Sequence, residues 1–201
     1  QNYSNGLIAT TGCPSGEVQT RLRLGQYEEA RKAAGEYREI FGADYYFCEL
    51  MDHGLEIERR VTKDLLRLAK ELNLPLVATN DLHYTHESDA TAHEALLALQ
   101  SGSKLLEPTY EQGGSRFAFS GTGYYLKSPA EMRHLFKELP EASDNTLKIA
   151  DMCDVSFDTS ANYMPKFPTP EGEDETSWLI KEVDKGLHYR YPQGIPDEVR
   201  K

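Results

Sequence analysis

From Gly6 to Gln100 the chain alternates short apolar runs with longer stretches whose apolar residues recur every three or four positions. The first run, Leu7-Ile8-Ala9-Thr10-Thr11, closes at Gly12. A helix is predicted after it, because Tyr27, Ala30, Ala34, Tyr37 and Phe41 fall on one face, with Gly42 just beyond the end, where glycine is favoured. The second run, Tyr45-Tyr46-Phe47-Cys48-Glu49-Leu50, is aromatic and suits a strand. A long helix follows, with Ile57, Val61, Leu65, Leu68 and Leu72 in one stripe. Pro75-Leu76-Val77-Ala78-Thr79 reads as a short buried strand, and a helix over 88–99 would turn Ala92, Leu96 and Leu99 inward. Strand-helix repetition of this kind predicts an α/β fold with parallel strands joined by crossovers; a barrel and an open sheet both satisfy three repeats.

Beyond Ser101 the rhythm changes. Four glycines between Gly113 and Gly123 mark loops around an expected strand, Arg116 to Phe119. Ser128-Pro129-Ala130-Glu131 has the form of a capping box with proline at the first helical position, so a helix should run to about Leu139. A second helix is expected from Pro140 to Met152, then a strand-like piece, Val155-Ser156-Phe157. Three prolines make 163–170 an extended connector, and a last helix should begin near Thr176, carrying Trp178, Leu179 and Val183. These shifts put a domain boundary between about 105 and 125, dividing the chain into 1–110 and 111–201.

Charge and cysteine usage narrow the function classes. The 201 residues carry a formal net charge of −11. Ten acids against two lysines between Glu138 and Glu175 leave that stretch at −8, the wrong sign for gripping a phosphate backbone. No apolar run approaches the length of a membrane span, and no signal peptide follows Gln1. Three scattered cysteines, Cys13, Cys48 and Cys153, fit a reducing, cytoplasmic setting better than a disulfide framework. A start at Gln1 and a stop at Lys201 inside a charged stretch are both expected of an internal fragment.

The chemistry-bearing residues cluster where strands should end. Thr79-Asn80-Asp81-Leu82-His83-Tyr84 follows the third strand, and in parallel α/β folds functional side chains gather at strand C-termini. In an extended segment Asp81 and His83, two apart, leave the same side. A carboxylate and an imidazole meeting there make a partial metal site, and a Cys13 thiolate at the corresponding end of the first strand would add a third donor. The competing readings are structural: Asp81 capping a turn, Cys13 as a small buried hydrophobe. His53, in Asp52-His53-Gly54, is read as an ordinary turn residue. His93 is read as packing or hydrogen-bonding, and Glu49 either as a partner lying behind the metal ligands or as a paired interior carboxylate.

Three segments, Gly12-Cys13-Pro14-Ser15-Gly16-Glu17, Glu49-Leu50-Met51-Asp52-His53-Gly54 and Ala78-Thr79-Asn80-Asp81-Leu82-His83-Tyr84, resemble in order and spacing the PHP domain of bacterial DNA polymerase III alpha subunits. Asp89-Ala90-Thr91-Ala92-His93-Glu94-Ala95-Leu96, Ala142-Ser143-Asp144-Asn145-Thr146-Leu147-Lys148-Ile149-Ala150 and Tyr163-Met164-Pro165-Lys166-Phe167-Pro168 extend the likeness across nearly the whole chain. The resemblance implies a partial PHP-type distorted (βα) barrel over 1–110, followed over 111–201 by a mostly helical connecting segment and the start of the polymerase core. It implies that Cys13, Asp81 and His83 are metal ligands, with Zn or Mn at this site and Mg at a polymerase site outside the chain. The family's other PHP ligands, an early His-x-His motif with later His and Glu positions, would lie upstream of Gln1, and its palm aspartates downstream of Lys201. The fragment alone is therefore expected to be inactive. In the intact protein the resemblance implies a DNA-directed DNA polymerase, a nucleotidyltransferase of DNA replication, whose PHP domain can act as a metal-dependent 3′→5′ exonuclease. DNA, deoxynucleoside triphosphates, the sliding clamp and other holoenzyme subunits would be its partners, with no membrane. Two alternatives stand beside it: a stand-alone phosphoesterase of the histidinol-phosphatase kind, and a PHP domain that is structural and hydrolyses nothing.

Overall fold

The computed structural model describes residues 2–161 and 163–200, and these divide into two compact units, Gln1–Asp154 and Val155–Lys201. In the first, β1 (Ala9–Thr10), β2 (Tyr46–Leu50) and β3 (Leu76–Ala78) form a parallel sheet in the order β1-β2-β3. Ala9 is in register with Tyr46 and Thr10 with Phe47; Cys48, Glu49 and Leu50 face Leu76, Val77 and Ala78. Every residue of β2 is buried. That explains its continuous apolar run, since a central parallel strand is covered on both faces. The sheet establishes the α/β class with parallel strands.

Helices α1 (Glu17–Arg23), α2 (Tyr27–Phe41) and α3 (Glu56–Leu72) pack around it. The stripe expected on α3 is the one buried, through Val61, Leu65 and Leu68. Burying one such leucine is worth about 1.5–3 kcal/mol. On α2 the inward positions are Ala30, Ala33 and Ala34, small enough to let the helix approach closely. Helix α1 had no expected counterpart: its seven residues offer a core only Val18 and Leu22 as large apolar side chains, too few to show a period.

After β3 a 3-10 turn, Glu87–Asp89, leads into α4 (Ala90–Ser101). Its inward face is not the expected one. Ala98 is buried and His93, Glu94 and Leu97 are half-buried, whereas Leu96 and Leu99 are exposed, as is Ala92. The helix is apolar on most sides, so periodicity could not select a face. The Arg116 guanidinium selects it by holding Glu94 at 2.8 Å. Arg116 to Phe119 forms no strand; Arg116 makes only an isolated bridge to Thr109.

Ser128 caps α5 (Pro129–Leu135) in the expected box: Glu131 N donates to Ser128 Oγ, and Ser128 N donates to Glu131 Oε2 at 2.8 Å. The helix ends at Leu135, short of Leu139, because Phe136 turns into the core with 7% exposure. Helix α6 (Pro140–Met152) has the expected bounds and packs on β3, its Asn145 Nδ2 donating to Leu76 O at 2.7 Å. The division expected at 110/111 therefore falls inside the first compact unit: Phe136 and Ala142 belong to the same core as the sheet. Val155-Ser156-Phe157 carries no strand.

In the second unit residues 163–170 have neither helix nor strand, as three prolines dictate. Asp174 caps α7 (Glu175–Arg190), its carboxylate accepting from Ser177 N at 2.7 Å. No helix among the described residues is long and apolar enough to cross a membrane.

Candidate metal centre

All three strands point their C-terminal ends at one rim, and the rim begins with a buried carboxylate. Glu49, on central β2, is 9% exposed. Its Oε2 accepts from Thr10 Oγ1 at 2.5 Å and its Oε1 from Thr79 Oγ1 at 2.6 Å, so it ties together the exits of β1 and β3. Both carboxylate oxygens are thereby occupied by hydroxyl donors, one from each flanking strand exit.

Cys13 leaves β1 through a tight turn in which Gly16 N donates to Cys13 O at 2.8 Å. A Cβ at Gly16 would sit 2.9 Å from Thr11 O and 3.1 Å from Cys13 O, so the turn that presents the thiol requires glycine there. Cys13 is half-buried. Cys48, inside β2, is fully buried, and burial pushes its thiol up to about 12.

Asp81 and His83 converge, though not by strand alternation. Asp81 adopts a left-handed backbone, φ 42°, and the turn brings its carboxylate oxygen to 3.9 Å from His83 Nδ1. His83 Nδ1 also lies 2.5 Å from the Asp81 carbonyl oxygen. With a proton on Nδ1 donated to that carbonyl, Nε2 keeps its lone pair, the tautomer that a metal ligand needs. Both side chains are about one-third exposed.

An aromatic collar surrounds this imidazole. Phe119 meets His83 edge-on at 4.6 Å, His93 lies at 5.3 Å and Tyr124 at 5.9 Å between ring centroids. Burial, with His83 as a second cause, pushes His93 below its ordinary value. His93 packs, as expected. The collar is held by Asn80: its Nδ2 donates to Gly123 O at 2.8 Å and Tyr125 O at 2.7 Å, and its Oδ1 accepts from Lys127 Nζ at 3.0 Å. His83 N donates to Tyr124 O at 2.9 Å, completing the join between β3's exit and residues 123–127.

His53 is more than the turn residue expected. The turn exists, with Gly54 N donating to Asp52 Oδ1 at 2.9 Å. Yet the imidazole is only 2% exposed, its Nδ1 lies 2.7 Å from Glu58 Oε1, and it stacks on Tyr124 at 4.0 Å. Glu58 also accepts from His53 N at 2.7 Å and Leu55 N at 3.4 Å, which fixes the start of α3. Burial acts to lower the His53 pKa, but its bonds to Glu58 and Asn80 outweigh it and raise the value above 6.5. Burial acts to raise Glu58, and the same His53 bonds hold it below 4.5. The available sequence signal was Glu58 at the third helical position, where a carboxylate reaches back to orphan N–H groups. Tyr124 and Phe119 gave none, since only tertiary packing brings them to the rim.

The donor types suit a borderline-soft divalent cation: thiol, carboxylate and imidazole. The structure brings Asp81 and His83 together at β3, while Cys13 stands at the same rim beyond β1, two strand spacings away, roughly 10 Å of backbone. Among the described residues no group of three or more His, Cys, Asp or Glu side chains is poised to hold one ion. The residues present thus fit part of a metal site, and closure would need further ligands.

The family profile of the PHP domain matches residues 1–53. The DNA polymerase III subunit alpha of Mycobacterium tuberculosis (strain ATCC 25618 / H37Rv) is 54% identical over 201 residues, covering 98% of this chain and 16% of that protein. The protein of the same name from Mycobacterium leprae is 52% identical over 198 residues, 97% of this chain and 16% of the relative. That from Thermus aquaticus is 37% identical over 203 residues, 98% and 16% respectively. The chain therefore spans about a sixth of the length of the curated relatives it matches.

Proposed function

We propose that this chain, which along nearly its whole length belongs to the DNA polymerase III alpha-subunit family, contributes one flank of a PHP metal centre to a replicative polymerase. The observation that carries this is the Asp81–His83 pair at the exit of β3, 3.9 Å apart, on the rim that also receives Cys13. Cys13, Asp81 and His83 are the ligands: thiolate, carboxylate and neutral imidazole. Three parallel strands with Glu49 joining their exits support a distorted (βα) barrel, completed by segments outside residues 1–201. Residues 1–110 are its later part. Residues 111–201 lead to the polymerase core, with 111–154 packed on the barrel's sheet.

The intact protein carries out template-directed DNA synthesis from deoxynucleoside triphosphates, a phosphoryl transfer at a separate two-metal Mg site, alongside the sliding clamp and other holoenzyme subunits in the cytoplasm. Its PHP site acts as a 3′→5′ exonuclease. When bound there, held by Cys13, Asp81 and His83, divalent ions (Zn or Mn) would supply an activated water and neutralise charge on phosphoryl oxygens. The chain's own residues do the preparatory work. His83, its Nδ1 proton committed to the Asp81 carbonyl, presents Nε2; Phe119, His93 and Tyr124 exclude water from one side; Glu49 keeps the two strand exits in register.

A histidinol-phosphatase-like reading accounts for the first hundred residues but not for a likeness that continues over 98% of the chain. A structural, non-hydrolysing PHP domain is favoured by one observation, the lack of three donors around one point among the described residues. Asp81→Ala and His83→Ala in the full-length protein separate the readings. Metal content and excision of a mismatched primer end should fall together while primer extension persists. Metal loss with lowered stability, from a parent that excises nothing, assigns the ion a structural role. Unchanged metal content refutes the ligand assignment.

A further inference from the structure

His53 is the one buried histidine at the rim that is not among the proposed ligands, and both of its ring nitrogens are engaged. Nδ1 lies 2.7 Å from Glu58 Oε1 and Nε2 lies 3.1 Å from the Asn80 carbonyl oxygen. A carboxylate and a carbonyl can only accept, so both bonds form together only when both nitrogens carry protons. The ring is also stacked on Tyr124, 4.0 Å between centroids and 18° from parallel.

These two attachments are the backbone supports of the proposed ligands. The Asn80 carbonyl belongs to the peptide that enters Asp81, whose left-handed φ of 42° must be enforced from outside. Tyr124 O accepts from His83 N. Side-chain exposures of 2% for His53 and 6% for Glu58 put the clamp out of reach of solvent. Other groups facing the ring are Lys127, from the 123–127 segment, and Tyr124 itself; the Asp52 carboxylate is bonded to Gly54 N.

We infer that His53 is a positioning residue of the metal centre, linking the first turn of α3 through Glu58 to the Asn80–Asp81 peptide and so setting the angle at which Asp81 leaves β3. This rests on Asp81 being a ligand. Residues that orient ligands are worth about 10–100-fold in metal affinity, and the arrangement separates positioning from mere packing. A glutamine amide nitrogen reaches about where His53 Nε2 stands, and an asparagine amide nitrogen about where Nδ1 stands. His53→Gln should keep the bond to Asn80 and release Glu58, whereas His53→Asn should do the reverse.

The test uses the full-length protein with Co²⁺ as the probe, titrated by its visible absorption, together with hydrogen exchange of the peptide covering 79–84. His53→Asn should weaken Co²⁺ binding by about 10–100-fold and speed exchange at 79–84, while His53→Gln keeps most of the affinity and parent-like exchange. Identical behaviour of the two variants, joint failure to fold included, overturns the assignment. An Asp81→Ala protein that binds Co²⁺ like the parent refutes the underlying ligand reading, and the exchange difference between the variants still decides the clamp.

Discussion

Glu58→Ala tests whether the His53–Glu58 pair is ionic, and its cost should depend on pH in a direction fixed by the structure. The substitution removes the acceptor of His53 Nδ1 and of two backbone N–H groups at the start of α3. Between the two ordinary values, 4.5 for glutamate and 6.5 for histidine, the pair is charged on both sides. There its removal leaves a buried cation uncompensated, at a cost of about 3–5 kcal/mol. His53 is raised on folding, so its contribution is complete below 6.5 and lost as pH rises through the folded value. Glu58 is lowered, so its contribution is complete above 4.5 and lost as pH falls through its folded value. At high pH, with His53 neutral in both proteins, the difference should shrink to about 1–3 kcal/mol, the cost of unsatisfied buried donors. Urea denaturation followed by circular dichroism is the suitable assay, because Trp178 belongs to the second compact unit and its fluorescence would miss the event. A cost that stays flat across this pH range refutes the ionic assignment.

Two further outcomes follow from the packing. Leu68, with 0% exposure at the centre of the α3 stripe, should cost about 2–5 kcal/mol when replaced by alanine, read as a shift in the urea midpoint. Arg116 is 4% exposed, its Nε donating to Glu107 O at 2.8 Å and its Nη2 lying 2.8 Å from Glu94 Oε1. Arg116→Ala should cost about 1–3 kcal/mol and speed hydrogen exchange over 104–120 while leaving β2 protected, and lysine should not restore it, having one nitrogen where two are used.

What the sequence revealed, and what it hid, divides by the range of the forces involved. Local rules located β2 from its unbroken apolar run, α3 from one stripe, and the start of α5 from Ser128 and Glu131. Parallel strands present their exits on a common rim, and the structure places Cys13, Asp81 and His83 there as the sequence suggested, with Asp81 and His83 together at one strand exit. The convergence of Asp81 and His83 was expected from alternation along an extended chain; it is achieved instead by the left-handed turn at Asp81. Helix α4 was misread because alanine and leucine on most of its sides carry no direction, and Arg116, 22 residues beyond Glu94, supplies it. His53 looked like a turn residue because Tyr124, the ring that covers it, is 71 positions away. The loops and glycines near 110 mark a change of local structure, which local rules can see, whereas the return of Phe136 and Ala142 to the same core as the sheet is a tertiary event they cannot.

The φ of 42° at Asp81 sets foldability against chemistry at one position. A left-handed aspartate costs about 1 kcal/mol relative to a backbone without a Cβ. Glycine would relax that residue and discard its carboxylate. Any stabilisation programme ranking variants of this protein by melting temperature alone would be drawn to position 81, and its apparent successes there would be molecules that hold their shape better and lack the carboxylate proposed to hold the cation.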